Sequence, residues 1–317
     1  MALKETFQKQ GGMNLIRQYA KSGVLGVAIN QFLVLGKSQT ALEILRLSTQ
    51  MKNKQKLEKK YEYAISKIEK KYESLETPIE YEKKIWICWL QGIENAPDIV
   101  KKCYESIRDN ISDREIVLIT DENYRELINF PPDIQAKIDD GIITGAHMTD
   151  LLRLELLTKY GGTWIDATVY CSSSQIPLYM LDSDLFMFQD LKPGRDGHTN
   201  VVSNWFITSS PNNKMLFYEK ELLYEYWRKN NKITDYFIFH EFFSILIDKF
   251  PEEWNKVIPF SNSTPHILLL RLFEKYDDDT WKAIKEQTSI HKLSYKLSSD
   301  NITKQGTYYD IIFKTRD

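Results

Sequence analysis

Two acids and an arginine lie within seventeen residues of one another in this 317-residue chain, and they are its most chemically specific feature. Asp150 and Arg153 stand three apart in "GAHMTDLLRLELLTKY" (145–160), a helical pattern that puts both on one face. Asp166 follows the double glycine of "TKYGGTWIDATVY" (158–170), at the end of a short β-rich run. An acid–base pair at this helical spacing is ordinarily a surface ion pair, with a contribution of about 0–1 kcal/mol. Position raises its interest, because an acid at a strand end of an α/β sheet sits where ligands bind. A hard divalent cation such as Mn²⁺ or Mg²⁺ prefers carboxylate oxygens and also bridges a diphosphate, so one acid with waters and phosphate oxygens is a candidate cation site.

The elements that must position these groups can be read around them. Gly161 is expected to close the helix in a left-handed conformation, and Thr144 or Thr149 to cap its start. Upstream, "KKIWICWL" (83–90) reads as a buried strand, "APDIVKKCYESIRDN" (96–110) as an amphipathic helix and "EIVLIT" (115–120) as a second strand. Strand, helix, strand predicts a parallel α/β sheet, with a nucleotide sought at "WLQG" (89–92) and "TDEN" (120–123) beyond the strand ends. Neither is a phosphate-cradling glycine loop. The absence of GxGxxG and Walker A patterns argues against a dinucleotide enzyme or an ATPase. "SNWFITSS" (203–210) reads as a strand able to face Ser203 and Asn204 to a cleft, and "DYFIFHEFF" (235–243) as an aromatic core helix.

A composition of 42% hydrophobic and 13% aromatic residues supports a sizeable core. The net charge of −2 speaks against a general nucleic-acid partner but hides an asymmetry: residues 1–75 hold 14 Lys+Arg against 6 Asp+Glu, and the rest 28 against 38. Residues 39–74 are helical in pattern, with Leu57, Tyr61, Ala64, Ile65, Ile68 and Tyr72 at spacings of three and four, up to about Pro78. The expected organisation is therefore a basic helical module (1–78) followed by an α/β domain (79–317). Lysine-rich helices are usually solvated; the sharper expectation is that these rest on an anionic membrane surface. Cys88, Cys103 and Cys171 form no close pair, which fits a reducing cytoplasm, and "MALKETFQKQ" lacks the features of a secretory signal. The run "GVLGVAINQFLVLG" (23–36) is too short to span a bilayer.

Together, "KKIWICWLQGIENAPDIVKKCYESIRDN", "GAHMTDLLRLELLTKYGGTWIDATVY", "VVSNWFITSSPNN", "DYFIFHEFF" and "SIHKLSYK" closely resemble the capsular polysaccharide synthesis glycosyltransferases. That group is similar to other sugar-transfer enzymes with a DxD motif, the glucosylating toxins of clostridia among them. The resemblance implies a GT-A type nucleotide-sugar-binding fold with an α-helical N-terminal extension. It also implies transfer of a hexose, glucose or galactose, from a UDP-sugar to a lipid diphosphate-linked oligosaccharide, with retention of configuration, at the inner face of the cell membrane. By the same resemblance Asp150 binds donor sugar hydroxyls, Arg153 lies near sugar and diphosphate, and Trp89, Gln91 and Gly92 receive the uridine. Asp166 matches the first acid of DxD and holds Mn²⁺ or Mg²⁺. Thr168 stands where the second acid belongs, so the site is expected to bind its ion more weakly or to need other ligands, for which His291 is a candidate. Lys292 and Lys296 are expected on the diphosphate, Asn204 in the donor site, and His240 and Glu241 towards the acceptor. Two other readings compete. "WIDATV" with "DDD" (277–279) as metal site resembles a phosphatase that attacks phosphorus through a strand aspartate, and a non-catalytic membrane adaptor would keep the basic helices alone.

Overall fold

The structure, a computed structural model, describes residues 12–75, 83–191 and 201–314. The expected helix end near Pro78, and with it the expected domain boundary, falls outside the described residues.

Seven strands are described: β1 (Ile85–Cys88), β2 (Ile116–Ile119), β3 (Gly162–Ile165), β4 (Val169–Cys171), β5 (Leu185–Gln189), β6 (Val202–Ser209) and β7 (Ile290–Lys292). The helices of ten or more residues are α1 (Gly12–Ser22), α2 (Leu25–Leu35), α3 (Gln39–Glu73), α4 (Asp98–Asn110), α5 (Gly145–Tyr160), α6 (Lys214–Lys229), α7 (Ile238–Lys249) and α8 (Asp278–Gln287). The main sheet has the order β2-β1-β3-β6-β5. Strands β2, β1 and β3 are parallel as their pattern predicts, whereas β6 runs against both β3 and β5. A second, two-stranded sheet pairs β4 with β7 antiparallel.

The period-two alternation of the strands explains why the sheet is covered on both faces. Ile85, Ile87, Ile165, Phe186, Phe188 and Phe206 enter one core, with Ile99, Val100 and Ile107 of α4. Trp86, Trp164, Leu185, Met187 and Ile207 enter the other, with the buried faces of α3, α5, α6 and α7. Helix α3 starts at Ser38, whose Oγ accepts from Ala41 N at 3.1 Å, and buries Leu57, Tyr61, Ala64, Ile65 and Ile68 at the expected spacing. Its partner is the body of the protein: the Tyr61 ring stands edge-on to Phe242 of α7 at 5.0 Å, and Lys71 pairs with Glu221 of α6 at 2.6 Å. Among the described residues no helix is long and apolar enough to cross a membrane.

The double glycine is a steric requirement. Gly161 has φ +70° with its N–H on Leu157 O, a positive φ as expected, but its ψ of −157° takes the chain into an extended path rather than a left-handed turn. Gly162 has φ +91°, and a Cβ there would stand 2.4 Å from Lys84 O of the neighbouring strand. Only glycine lets β3 lie close enough to β1 for Thr163 N to donate to Lys84 O at 2.8 Å. The Gly162→Ala variant is therefore expected to lose about 2 kcal/mol or more, from backbone strain and steric overlap together; equilibrium unfolding in urea measures this, and wild-type stability would refute the steric account.

Candidate active site

Helix α5 lies between the sheet and α6, so most of its middle is buried, the polar Asp150, Arg153 and Thr158 included. Neither threonine caps it by a side chain: Thr144 makes no capping hydrogen bond, and Thr149 Oγ1 donates back to Ala146 O at 2.9 Å. Asp150 and Arg153 are both buried. They face the end of β3, where the chain leaves the sheet at Asp166.

These three groups converge. Arg153 Nη1 lies 3.0 Å from Asp150 Oδ1, and Nη2 lies 3.4 Å from Asp166 Oδ1. The guanidinium also sits over the Trp164 ring at 5.0 Å, and Trp164 Nε1 donates to Asp166 Oδ1 at 3.0 Å. Asn204 of β6 donates to Asp150 Oδ1 at 2.9 Å. From β7, Lys292 Nζ reaches Asp166 Oδ2 at 3.1 Å and Thr168 Oγ1 at 2.5 Å. Burial pushes the Asp166 pKa up, but the Lys292 and Arg153 charges, with the Trp164 hydrogen bond, outweigh it and hold the carboxyl below its usual value. The group is therefore ionised at neutral pH. The stability it contributes is present above its unfolded pKa and is lost as pH falls through the lower folded value.

The groups line a cleft of about 640 Å³ beyond the carboxyl end of β3. Trp89, Gln91, Asn204, His240, Lys292 and Lys296, which the resemblance places at the donor or acceptor, line it too. Trp89 meets Tyr295 edge-on at 5.3 Å, and its buried Nε1 has no hydrogen-bond partner. Gly92 does not reach the cleft; it forms the turn behind it, with φ +77° and its N–H on Trp89 O at 2.9 Å. The "TDEN" segment is not part of the lining either. Ser203, next to Asn204 on the strand, points to the other face and donates to Phe188 O.

Two expected site residues are turned away. His291 is fully buried on the far face of β7, bonded through Nε2 to Ser172 at 2.9 Å and packed by Trp281 and Tyr170. The pairing Val169↔Lys292 and Tyr170↔His291 fixes this, because alternate residues of a strand face opposite sides and Lys292 takes the cleft. Burial drives the His291 pKa down to about 3, so the ring is neutral. Glu241 is also fully buried and accepts from Asn53 of α3 at 2.5 Å. Burial, with the nearby Asp235, pushes its pKa up to about 9. His240, one residue earlier on α7, does reach the cleft. Its pKa falls to about 4 through burial, so it presents a neutral imidazole whose Nδ1 has no partner.

The structure adds His147 and Tyr236, which sequence reasoning passed over. His147 Nδ1 lies 3.8 Å from Asp150 Oδ2, and its ring meets Tyr236 at 5.6 Å. The signal was legible: His147, Asp150 and Arg153 follow one another at intervals of three along a single helix face. Cys88 also lines the cleft, but burial pushes its thiol up to about 12, leaving no thiolate. The "DDD" of 277–279 lies elsewhere, at the start of α8, where Asp277 Oδ1 caps Thr280 N at 2.8 Å.

The family model described as "Capsular polysaccharide synthesis protein" matches residues 37–312. The chain belongs to that family. Over 99 residues it is 30% identical to the O-glycosyltransferase braB of Annulohypoxylon truncatum, a match covering 28% of this chain and 24% of that protein. The chain thus spans about a quarter of the length of that relative. Among solved structures, the PaToxG glycosyltransferase is similar with a TM-score of 0.39 and 17% identity, over 64% of this chain and 82% of that one.

The resemblance led us to expect a divalent cation at Asp166, and the residues of this capsular family protein do not fit one. Both oxygens of the Asp166 carboxylate are already engaged by Arg153, Trp164 and Lys292, Asp150 is held by Arg153 and Asn204, Thr168 offers only a hydroxyl, and His291 faces away. Among the described residues no group of three His, Cys, Asp or Glu side chains could hold a metal ion.

Arg153 pairs with two acids at once. Arg153→Met is expected to lose about 3 kcal/mol at neutral pH, since it leaves buried charge unpaired. With the cation gone, Asp166 loses one of the charges that hold its carboxyl below the usual value, so its pKa rises and the loss should shrink as pH falls towards the carboxylate range. Urea unfolding of both proteins at about pH 5 and about pH 7.5 reads this difference; an equal loss at both would refute it.

Proposed function

We propose that this protein is a glycosyltransferase of capsular polysaccharide synthesis that moves a hexose, glucose or galactose, from a UDP-sugar to a lipid diphosphate-linked oligosaccharide. The observation that carries the reading is the meeting of Asp150, Arg153, Asp166 and Lys292 in one cleft whose volume suits a nucleotide sugar. Trp89 offers a ring for the uracil, and Gln91 polar contact beside it. Arg153, Lys292 and Lys296 face the diphosphate as fixed positive charge, and Asp150, oriented by Asn204, accepts from sugar hydroxyls. His240 is suited to orient the acceptor as a neutral hydrogen-bonding ring.

In the transfer, the bond from the anomeric carbon to the β-phosphate oxygen breaks and its electron pair goes to that oxygen. The acceptor hydroxyl oxygen bonds to the same carbon, and its proton passes to the departing phosphate. The cations lower the barrier because they lie where negative charge grows, each such donor being worth about 10²–10³ in rate. Retention by attack on the same face is favoured over a covalent intermediate, since Asp150 and Asp166 are the only acids lining the cleft among the described residues and both are held by cations.

A second hollow supports the lipid-linked acceptor. About 730 Å³ in volume, it lies among α1, α2, the start of α3 and the segment 235–237, and its lining is mainly apolar, with Tyr19, Ala28 and Phe32 among its walls. Tyr236 borders both it and the catalytic cleft, so an apolar tail in the one and its diphosphate-sugar head in the other would be neighbours. Leu33 and Val34 of α2 are 76% and 72% exposed, which suits contact with acyl chains, while the surrounding lysines suit anionic lipid at the inner membrane face.

The test is release of UDP from a panel of UDP-sugars by the purified protein. Release is expected with UDP-glucose or UDP-galactose, falling about 10²-fold or more in Asp150→Ala and Asp166→Asn with unchanged circular dichroism. No release with any donor, or release of inorganic phosphate from small phosphoesters instead, would overturn the proposal. Flotation with anionic but not neutral liposomes is expected in parallel; equal recovery with both would remove the membrane part.

A further inference from the structure

We propose that the donor site works without a divalent metal, the Lys292 ammonium standing where such an ion would be held. This rests on the nucleotide-sugar reading above and deepens it.

Lys292 Nζ already makes the contacts that a cation bridging Asp166 to residue 168 would make, at 3.1 Å to Asp166 Oδ2 and 2.5 Å to Thr168 Oγ1. An ammonium has three donors, and these two contacts leave one for the cleft. The other Asp166 oxygen is taken by Arg153 and Trp164. A Mg²⁺ or Mn²⁺ ion would have to displace a side-chain cation from the only carboxylate at that position, against the repulsion of Arg153. The cleft's other carboxylate, Asp150, is itself held by Arg153 and Asn204.

The cleft also holds a second fixed cation. Arg153 Nη1 pairs with Asp150 Oδ1 at 3.0 Å and Nη2 with Asp166 Oδ1 at 3.4 Å, so the guanidinium stands in the cleft wall on the other side of Asp166 from Lys292. A diphosphate in the cleft would lie against both positive charges. Asp166 then has a positioning role: it is the anchor that aims two cations at the phosphate oxygens, rather than a metal ligand.

The experiment is calorimetric titration of UDP into the full-length protein, once in EDTA and once with Mn²⁺. The dissociation constants are expected to agree within about threefold. Lys292→Met should weaken binding about tenfold or more in both buffers, and Lys292→Arg, which keeps the charge, should recover part of the loss. Electron paramagnetic resonance should show no Mn²⁺ taken up by the protein alone, and with UDP present no more Mn²⁺ bound than UDP binds in protein-free buffer. Binding that is weaker by more than about threefold in EDTA, or Mn²⁺ uptake that disappears in Asp166→Asn, would overturn the inference while leaving the nucleotide reading intact. Absence of UDP binding in both buffers would remove the two together.

Discussion

A buried guanidinium that touches two acids is the constraint on which the site depends. A charge taken out of water must be matched closely, and Arg153 is matched by Asp150 on its own helix and by Asp166 at the end of the next strand. That pairing ties α5 to β3 in rotation and in depth. A one-residue slip of the strand would carry Asp166 to the opposite face and leave the arginine half paired. The double glycine makes the tie possible by letting β3 approach β1 to backbone hydrogen-bonding distance immediately after the helix ends.

The same constraint explains the layout around it. On its buried face a helix can carry charge only where its neighbours supply counter-charge or hydrogen bonds, and at Asp150 and Arg153 the sheet end does so through Asp166, Asn204 and, by way of β7, Lys292. The two-stranded sheet thus contributes to the cleft by placing one lysine, with Leu293 N held on Thr168 O at 2.9 Å to fix its height. On the other side, α3 completes the helical core and holds the buried Glu241 through Asn53. The segment Asp235–Phe237 leads from that junction to the cleft, its turn closed by Asp235 Oδ1 on Phe237 N at 2.9 Å.

Much of this was legible in the chain, and the limits have physical causes. Helices α3, α4 and α5 and strands β1, β2, β3 and β6 follow from periodicity, and Asp150, Arg153 and Asp166 from spacing and place. Periodicity gives a buried face but not its partner, so nothing in the pattern of α3 pointed to Tyr61 on Phe242 or Asn53 on Glu241. Phase was the other limit. His240 and Glu241 are neighbours about 100° apart on a helix, and His291 and Lys292 are neighbours on opposite faces of a strand. In each pair both residues have the chemistry for a site and only one can face it. The choice is made by contacts distant in sequence, with α3 for the first pair and β4 for the second.

Thr168 and Lys292 are best understood as one unit, although 124 residues separate them. Read alone, a threonine in the second position of a DxD-like motif is a metal site missing a ligand. Read with the lysine, it is an oxygen acceptor of suitable length that adds no further negative charge. A second carboxylate at that point would place a third acid beside Asp150 and Asp166, demanding more positive charge than Arg153 and Lys292 supply. A hydroxyl lets the existing cations suffice and leaves one ammonium hydrogen beyond the two contacts to Asp166 and Thr168. A neutral threonine at mid-chain and a lysine 124 residues later therefore suit each other electrostatically, and neither residue has its meaning without the other.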